Sequence, residues 1–158
     1  MIDDRIDQAK KNALGRFSDT GPDHINCSQT VLCFALELMG YDCDLLTLAS
    51  YFGGGIAGMG EACGAVTGAL MAAGARDYYA GSQDPHRARV SKEALQEAIR
   101  AFTGEYGSCR CRDLTGYDLS TDEGFKAFKE SEAKDRCPVF VGFMIDRVAP
   151  LLMPPARP

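Results

Sequence analysis

Hydrophobic residues recur at intervals of three and four positions along most of the chain, and this spacing is typical of amphipathic α-helices. The pattern is clearest over residues 85–102, where apolar and charged side chains fall on opposite sides, and Gly104 is expected to end that helix. A similar pattern predicts a surface helix over residues 3–17. Residues 139–143 could instead form a short buried strand, but no pair of strands is evident. The pattern predicts an all-α bundle of about six helices.

Capping residues mark the ends of several predicted helices. Asn26 stands at the N-cap position of a helix over residues 27–39, and Gly40 follows that helix as a stop signal. Asp42 can cap a third, short helix that runs to residue 52. Such signals predict where a helix begins or ends.

Two later helices have their own start signals. Residues 120–123 have the arrangement of a capping box, which follows an irregular polar stretch at 106–114. The dipeptide Cys137-Pro138 predicts the start of the last helix, because proline suits the first helical position.

A glycine-rich loop lies near the middle of the chain, before the helix with the smallest side chains. Residues 53–60 include five glycines, and so many in a short loop imply positive φ angles or a backbone that approaches something closely. Residues 61–73 are predicted to form a central, buried helix whose small side chains let a neighbouring helix or a cofactor come near. The glycines expected to contact a bound cofactor are Gly54, Gly55, Gly58, Gly60 and Gly64.

Composition bounds the domain structure and excludes two classes of partner. With 158 residues and 46% hydrophobic content, residues 1–150 are expected to form a single domain, followed by a Pro-rich tail at 151–158. A net charge of -5 and the lack of a basic stripe argue against binding to nucleic acid. The N-terminus lacks the pattern of a secretory signal, and no apolar run reaches the roughly 18 residues needed to span a membrane. The protein is therefore expected to be cytoplasmic.

Seven cysteines are the main candidates for chemistry. An odd number in a cytoplasmic chain fits poorly with a disulfide scaffold, so thiol chemistry or metal binding is favoured. Cys27, Cys63 and Cys137 fall at predicted helix N-termini, where the helix dipole and unpaired N–H groups stabilise a thiolate. Cys111 is flanked by two arginines, which also favour the anion. We predict that these four converge on one redox or metal site, although cysteine also fills cores as a small hydrophobe.

The remaining cysteines and the two histidines are weaker candidates. Cys33 lies within an apolar helix and is predicted to be a core residue, and Cys43 is predicted to be a spectator. Cys109 could form a metal-binding Cys-x-Cys pair, could form a strained disulfide with Cys111, or could have no role. His24 and His86 lie in hydrophilic stretches and are expected at the surface; the alternative for His24, which is near Cys27, is a role as ligand or base.

The sequence resembles the C_GCAxxG_C_C family, described as redox-active proteins and related to a domain of split-Soret cytochromes. The resemblance extends from Asn26 to about Val148, and Cys63-Gly64-Ala65 stands where the family's label has Gly-Cys-Ala. It is carried by Asn26–Leu32, Phe52–Met71, Cys111–Leu114 and Cys137-Pro138. It implies a redox centre held by Cys27, Cys63, Cys111 and Cys137, such as an iron–sulfur cluster. Haem is not implied, because the chain lacks the attachment motif.

Three functions are compatible with these residues. The first is electron transfer through a 2Fe–2S or 4Fe–4S cluster, with a protein as redox partner. The second is an enzyme that uses Cys63 as a catalytic thiol on a small thiol or sulfur substrate. The third is a closed Cys₄ zinc site that holds the helices together, although paired Cys-x-x-Cys motifs are missing. The small-residue helix and the hydrophobic last helix are also compatible with a homodimer.

Overall fold

The computed structural model describes residues 2–81 and 84–153, without the side chains of Ile2 and Cys43. This part of the chain forms seven α-helices and two 3₁₀ helices and contains no β-strand, which confirms the all-α prediction and adds a few short elements. None of its helices is both long and apolar enough to span a membrane. The elements are α1 (Ile2–Ser18), α2 (Cys27–Met39), a 3₁₀ helix (Cys43–Phe52), α3 (Gly64–Tyr79), α4 (Pro85–Tyr106), α5 (Cys111–Thr115), α6 (Asp122–Glu130), a second 3₁₀ helix (Glu132–Arg136) and α7 (Cys137–Leu152).

Helix α2 begins and ends where the sequence predicts. The Asn26 side chain accepts a hydrogen bond from the Gln29 N–H, and the Gln29 side chain accepts one from the Asn26 N–H, which completes a capping box. Gly40 has φ of 79° and its N–H donates to the Glu37 carbonyl. The position of Cys27 at the first turn of α2 is therefore fixed by local hydrogen bonds.

Several other boundaries differ from the prediction. Helix α3 begins at Gly64, so Cys63 is its N-cap residue, and α3 continues well past Ala73. Helix α4 passes through the exposed Gly104 and ends at Gly107, which has φ of 82° and donates to the Thr103 carbonyl. An exposed glycine weakens a helix without ending it, because its backbone can still make the helical hydrogen bonds.

Four further predictions also differ from the structure. Residues 43–52 form a 3₁₀ helix rather than an α-helix, and Asp42 makes no side-chain cap. The N-cap of α6 is Thr121, whose hydroxyl accepts from the Gly124 N–H, one position later than the capping box predicts. The polar stretch contains α5, which at five residues is too short to show helical periodicity. Residues 139–143 are helical.

The last helix continues into the segment that the sequence assigns to the Pro-rich tail. Helix α7 continues through Pro150 to Leu152, which is buried against the core. Pro150 has no N–H to donate to the Asp146 carbonyl, and the helix ends two residues after it. Residues 154–158 of the predicted tail lie outside the described residues.

Small side chains let α3 pack closely against its neighbours at the centre of the core. Helix α3 contacts mainly α2 and also α7, and most of its inward residues are glycine or alanine. A Cβ atom at Gly68 would lie 2.5 Å from the Ser28 carbonyl oxygen and 2.9 Å from the Val31 Cβ. The backbones of α2 and α3 therefore nearly touch, which confirms the prediction of a central, buried small-residue helix.

An aromatic cluster joins α4 to α7. The fully buried Phe102 ring packs edge-on against Tyr106, Phe140 and Phe143, with ring centroids 4.8 to 5.8 Å apart. Because Phe140 lies one turn after Cys137, this cluster fixes the start of α7.

Candidate thiol site

The structure brings four cysteines together around one small cavity. Cys27, Cys63, Cys111 and Cys137 line a space of about 20 Å³, together with Leu114, Thr115 and Phe140. Each of the four stands at a helix start: Cys63 is the N-cap of α3, and the others are the first residues of α2, α5 and α7. No carboxylate or imidazole lines this cavity within the described part of the chain.

Backbone pairing between two distant segments positions Cys63 beside Cys111. The Cys63 N–H donates to the Cys109 carbonyl over 2.8 Å, and the Cys111 N–H donates to the Glu61 carbonyl over 2.7 Å. These two bonds flank an isolated antiparallel bridge between Ala62 and Arg110. Cys109 therefore helps to position Cys63 through its carbonyl oxygen, while its own half-buried side chain does not line the cavity.

Glycine is required where the loop and α3 approach the thiols. A Cβ atom at Gly64 would overlap the Cys27 sulfur, and one at Gly55 would lie 2.5 Å from the Cys111 Cβ. Burial raises the pKa of the Cys27 thiol, and the backbone N–H of Gly54 has a smaller effect that lowers it. The other two predicted glycines face elsewhere, since Gly58 packs on the Leu119 carbonyl and Gly60 on Arg112.

The glycine loop contains a left-handed turn. Residues 54–58 have five consecutive positive φ angles, including 63° at Ile56 and 52° at Ala57. This conformation costs about 1–2 kcal/mol per residue with a side chain, because the Cβ crowds the following carbonyl oxygen. The Gly60 and Glu61 N–H groups close the turn by donating to the Gly54 and Gly55 carbonyls over 3.1 and 2.9 Å. Backbone strain is therefore concentrated beside the thiols, as is common at functional sites.

Relief of this strain should be measurable. We expect Ala57→Gly to raise the free energy of unfolding by about 0.5–1 kcal/mol, since the relieved left-handed strain exceeds the entropy that glycine adds to the unfolded chain. The matched control is Ala127→Gly, at an exposed position inside α6, which should lower it by about 0.5–1 kcal/mol. Urea unfolding of both variants checks this; a loss of stability at both positions would contradict it.

Burial raises the pKa of all four thiols. It raises the pKa of Cys111 to about 11 and that of Cys137 to about 12, and the neighbouring thiols add to both rises. The pKa values of Cys27 and Cys63 are also raised by burial, although backbone N–H groups of Gly54, Ser28 and Gly64 act against this at Cys27. The prediction that these positions favour a thiolate is therefore wrong for the metal-free protein.

The arginines beside Cys111 do not reverse this effect, because both are paired elsewhere. Arg110 forms an ion pair with Glu61 at 3.1 Å, and Arg112 forms one with Asp118 at 2.9 Å. Both guanidinium groups are about half exposed, so water screens their remaining influence on the buried thiol.

Raised thiol pKa values make stability sensitive to alkaline pH. Unfolded cysteine has a pKa of about 8.5, so between pH 9 and the folded values near 11 and 12 only the unfolded state loses these protons. The reduced, metal-free protein should therefore lose stability as pH rises through this window. Urea midpoints between pH 8 and 11 test this, with Cys111→Ala expected to show a smaller loss than the parent protein. An equal loss in both would contradict the prediction.

The remaining candidates lie away from the cavity. Cys33 is buried in α2 and accepts a hydrogen bond from the Arg16 Nη1, so it is a core residue, as predicted. His24 and His86 are exposed, as expected, and the side chain of Cys43 is outside the described residues. Among the described residues, no group of three or more His, Cys, Asp or Glu side chains is arranged to hold one metal ion.

Some residues of the site carry no clear signal in the sequence. Leu114 and Phe140 each stand three positions after a cavity cysteine, so they share its helix face, but this is visible only once α5 and α7 are placed. Arg136 connects them, since its Nη1 donates to the Leu114 carbonyl over 3.1 Å and its guanidinium lies 5.2 Å from the Phe140 ring. It thereby ties the start of α7 to the end of α5.

The fold and the site together define an all-α protein with four thiols at helix starts around one small cavity. Residues 25–151 match the family described as "Putative redox-active protein (C_GCAxxG_C_C)". The chain belongs to this family of redox-active proteins, which confirms the resemblance found in the sequence. No curated protein and no solved structure matches the chain.

Proposed function

We propose that the four cavity cysteines hold an iron–sulfur cluster and that the protein exchanges electrons with a redox partner protein. The observation that carries this proposal is the composition of the cavity, in which Cys27, Cys63, Cys111 and Cys137 are the only groups with metal-binding side chains among the described lining residues. Thiolates are the usual protein ligands of iron–sulfur clusters.

The four cysteines are suitable ligands for a cluster, but the cavity between them is too small to hold one without movement of the sulfurs. A space of about 20 Å³ is close to the 10–15 Å³ that one water molecule needs. Loading therefore requires the sulfurs to move apart. Cys27 and Cys137 are half-buried residues, whereas Cys63 and Cys111 are buried. A cluster also distributes its ligands over several iron atoms, so its thiolates need not surround a single point.

When bound, an iron–sulfur cluster accepts and releases single electrons. The surrounding residues would set its environment. Backbone N–H groups of Gly54, Ser28 and Gly64 would hydrogen-bond to the Cys27 sulfur, and such bonds stabilise the more negative, reduced state. Leu114 and Phe140 would exclude water from one side of the site. The Thr115 hydroxyl would not donate to a cluster sulfur, because it donates to the Cys111 carbonyl over 2.8 Å.

The catalytic-thiol alternative receives less support from the site. A catalytic Cys63 would need a reactive thiolate, yet this side chain is only 7% exposed and burial raises its pKa. A zinc site shares the same four ligands and would be recognised by bound zinc and the lack of visible colour.

Anaerobic reconstitution with iron and sulfide tests the proposal. We expect the protein to bind both elements and to gain visible absorption that bleaches on reduction. Each of the single changes Cys27→Ser, Cys63→Ser, Cys111→Ser and Cys137→Ser should remove most of the bound iron and shift or abolish the absorption. The matched control, Cys109→Ser, keeps the backbone carbonyl that positions Cys63 and should load normally.

Two results would overturn the proposal. One is a protein that stays colourless and free of iron after reconstitution. The other is equal loss of iron from Cys109→Ser and Cys63→Ser, since the site would then not consist of the four cavity cysteines.

A further inference from the structure

A second, larger cavity lies at the opposite end of the helical bundle. It has a volume of about 430 Å³ and is bounded by the last residues of α2, α3 and α7. Cys27 and Cys137 are the first residues of α2 and α7, and Cys63 is the N-cap of α3, so the two cavities are separated by the length of the core. Its volume is within the range of small-molecule pockets.

Three arginines line this cavity, and no carboxylate does so among the described residues. Arg76 is largely used within the fold, since it donates to the Asp77 carboxylate, to the Leu151 carbonyl over 2.8 Å and to the Ser91 hydroxyl over 2.6 Å. Arg5 donates to the Leu38 carbonyl over 2.7 Å. These bonds satisfy carbonyl groups at helix C-termini, where cations are favourable.

Arg87 differs from the other two. Its side chain is partly buried at the cavity, and its guanidinium has no hydrogen-bond or ion-pair partner among the described residues. A guanidinium presents five N–H donors in a planar arrangement that matches a carboxylate. Arg87 therefore places a positive charge at the cavity that no described residue of the chain neutralises.

The rest of the wall is apolar. Leu38, Met39, Leu151, Leu152 and Met153 provide most of the remaining lining. A strongly hydrated phosphate would lose solvation against such a wall without enough donors to replace it. A carboxylate with a hydrocarbon body matches both parts of the surface.

We propose that this cavity binds a small organic carboxylate, with the apolar body against the leucine and methionine side chains and the carboxylate on Arg87. This binding site does not depend on the thiol cavity or on the proposed cluster.

Titration of the full chain with octanoate, followed by calorimetry and by NMR of the leucine and methionine methyl groups, tests the proposal. We expect saturable binding with shifts at Leu38 and Leu152, and Arg87→Gln should weaken it about tenfold, as expected for loss of a charged hydrogen-bonding partner. Arg89→Gln is the matched control, because Arg89 lies on the same helix, is 61% exposed and pairs with Glu93 away from the cavity. Octanol, which has the same body without the charge, should show no dependence on Arg87.

Several outcomes would overturn this inference. They are the absence of saturable octanoate binding, an equal effect of Arg87→Gln and Arg89→Gln, or displacement of octanoate by inorganic phosphate. Thermal unfolding of Arg87→Gln should match that of the parent protein, which separates a lost contact from a lost fold. Iron loading provides an independent readout of the thiol site and should be unchanged in this variant.

Discussion

Replacing Gly64 with alanine should destabilise the protein by about 1–3 kcal/mol, as expected for overpacking in a close-packed core. The added Cβ would overlap the Cys27 sulfur and would lie 3.1 Å from the Ser28 backbone nitrogen. Neither group can move freely, because the capping box of α2 fixes the start of that helix. Displacement of Cys27 should also lower the amount of iron bound on reconstitution. Urea unfolding and iron analysis of the same preparation measure both effects.

Gly74→Ala is the matched control for this change. Gly74 lies on the same helix, α3, but it is exposed and no atom lies within 4 Å of a Cβ placed there. Alanine should therefore raise the free energy of unfolding by about 0.5–1 kcal/mol, the usual difference in helix propensity, and leave iron loading unchanged. If both variants gained stability, the close approach of Gly64 to Cys27 would not be a feature of the folded protein.

Replacing Phe102 with alanine should have the largest effect on stability, a loss of about 3–5 kcal/mol. The ring is fully buried and packs edge-on against Tyr106, Phe140 and Phe143, so its removal leaves a cavity that these rings cannot fill without moving. Because Phe140 also lines the thiol cavity, iron loading should become less complete in this variant. Thermal and urea unfolding measure the first effect, and reconstitution measures the second.

Phe125→Ala provides the comparison for loss of an aromatic ring. Phe125 is 48% exposed on α6, a helix with no fully buried residue, so its removal should change stability by about 0.5 kcal/mol or less. Equal losses from Phe102→Ala and Phe125→Ala would contradict the central position of the α4 and α7 aromatic cluster.

Helix positions were predictable where local interactions decide them. Asn26 and Gly40 fix both ends of α2 through hydrogen bonds within a few residues, and the sequence contains both signals. The predicted helix end at Gly104 is wrong because a glycine on an exposed helix face and a glycine that ends a helix have the same local sequence signal. Helix α5 is not predictable from the sequence, because five residues are too few to show the spacing of apolar residues that marks a helix.

The candidate site could be predicted only in part. The sequence and the family resemblance select the same four cysteines, whereas the protonation state depends on burial. The predicted thiolate at Cys111 assumed that nearby arginines act on it, but the folded chain pairs them with Glu61 and Asp118. The cytoplasmic location, the lack of a nucleic-acid partner and the possible homodimer stay predictions.

The sequence by itself determined the helical class, the capped start of α2 and the choice of four cysteines as candidate site residues. These are Cys27, Cys63, Cys111 and Cys137. These features depend on periodicity, capping and motif, which are local properties of the chain. Only the tertiary structure decided that Gly64 must lack a side chain beside Cys27, that Cys109 contributes a carbonyl rather than a thiol, and that Arg87 faces an apolar cavity. Each of these depends on contacts between residues far apart in sequence, where packing and desolvation outweigh local preference.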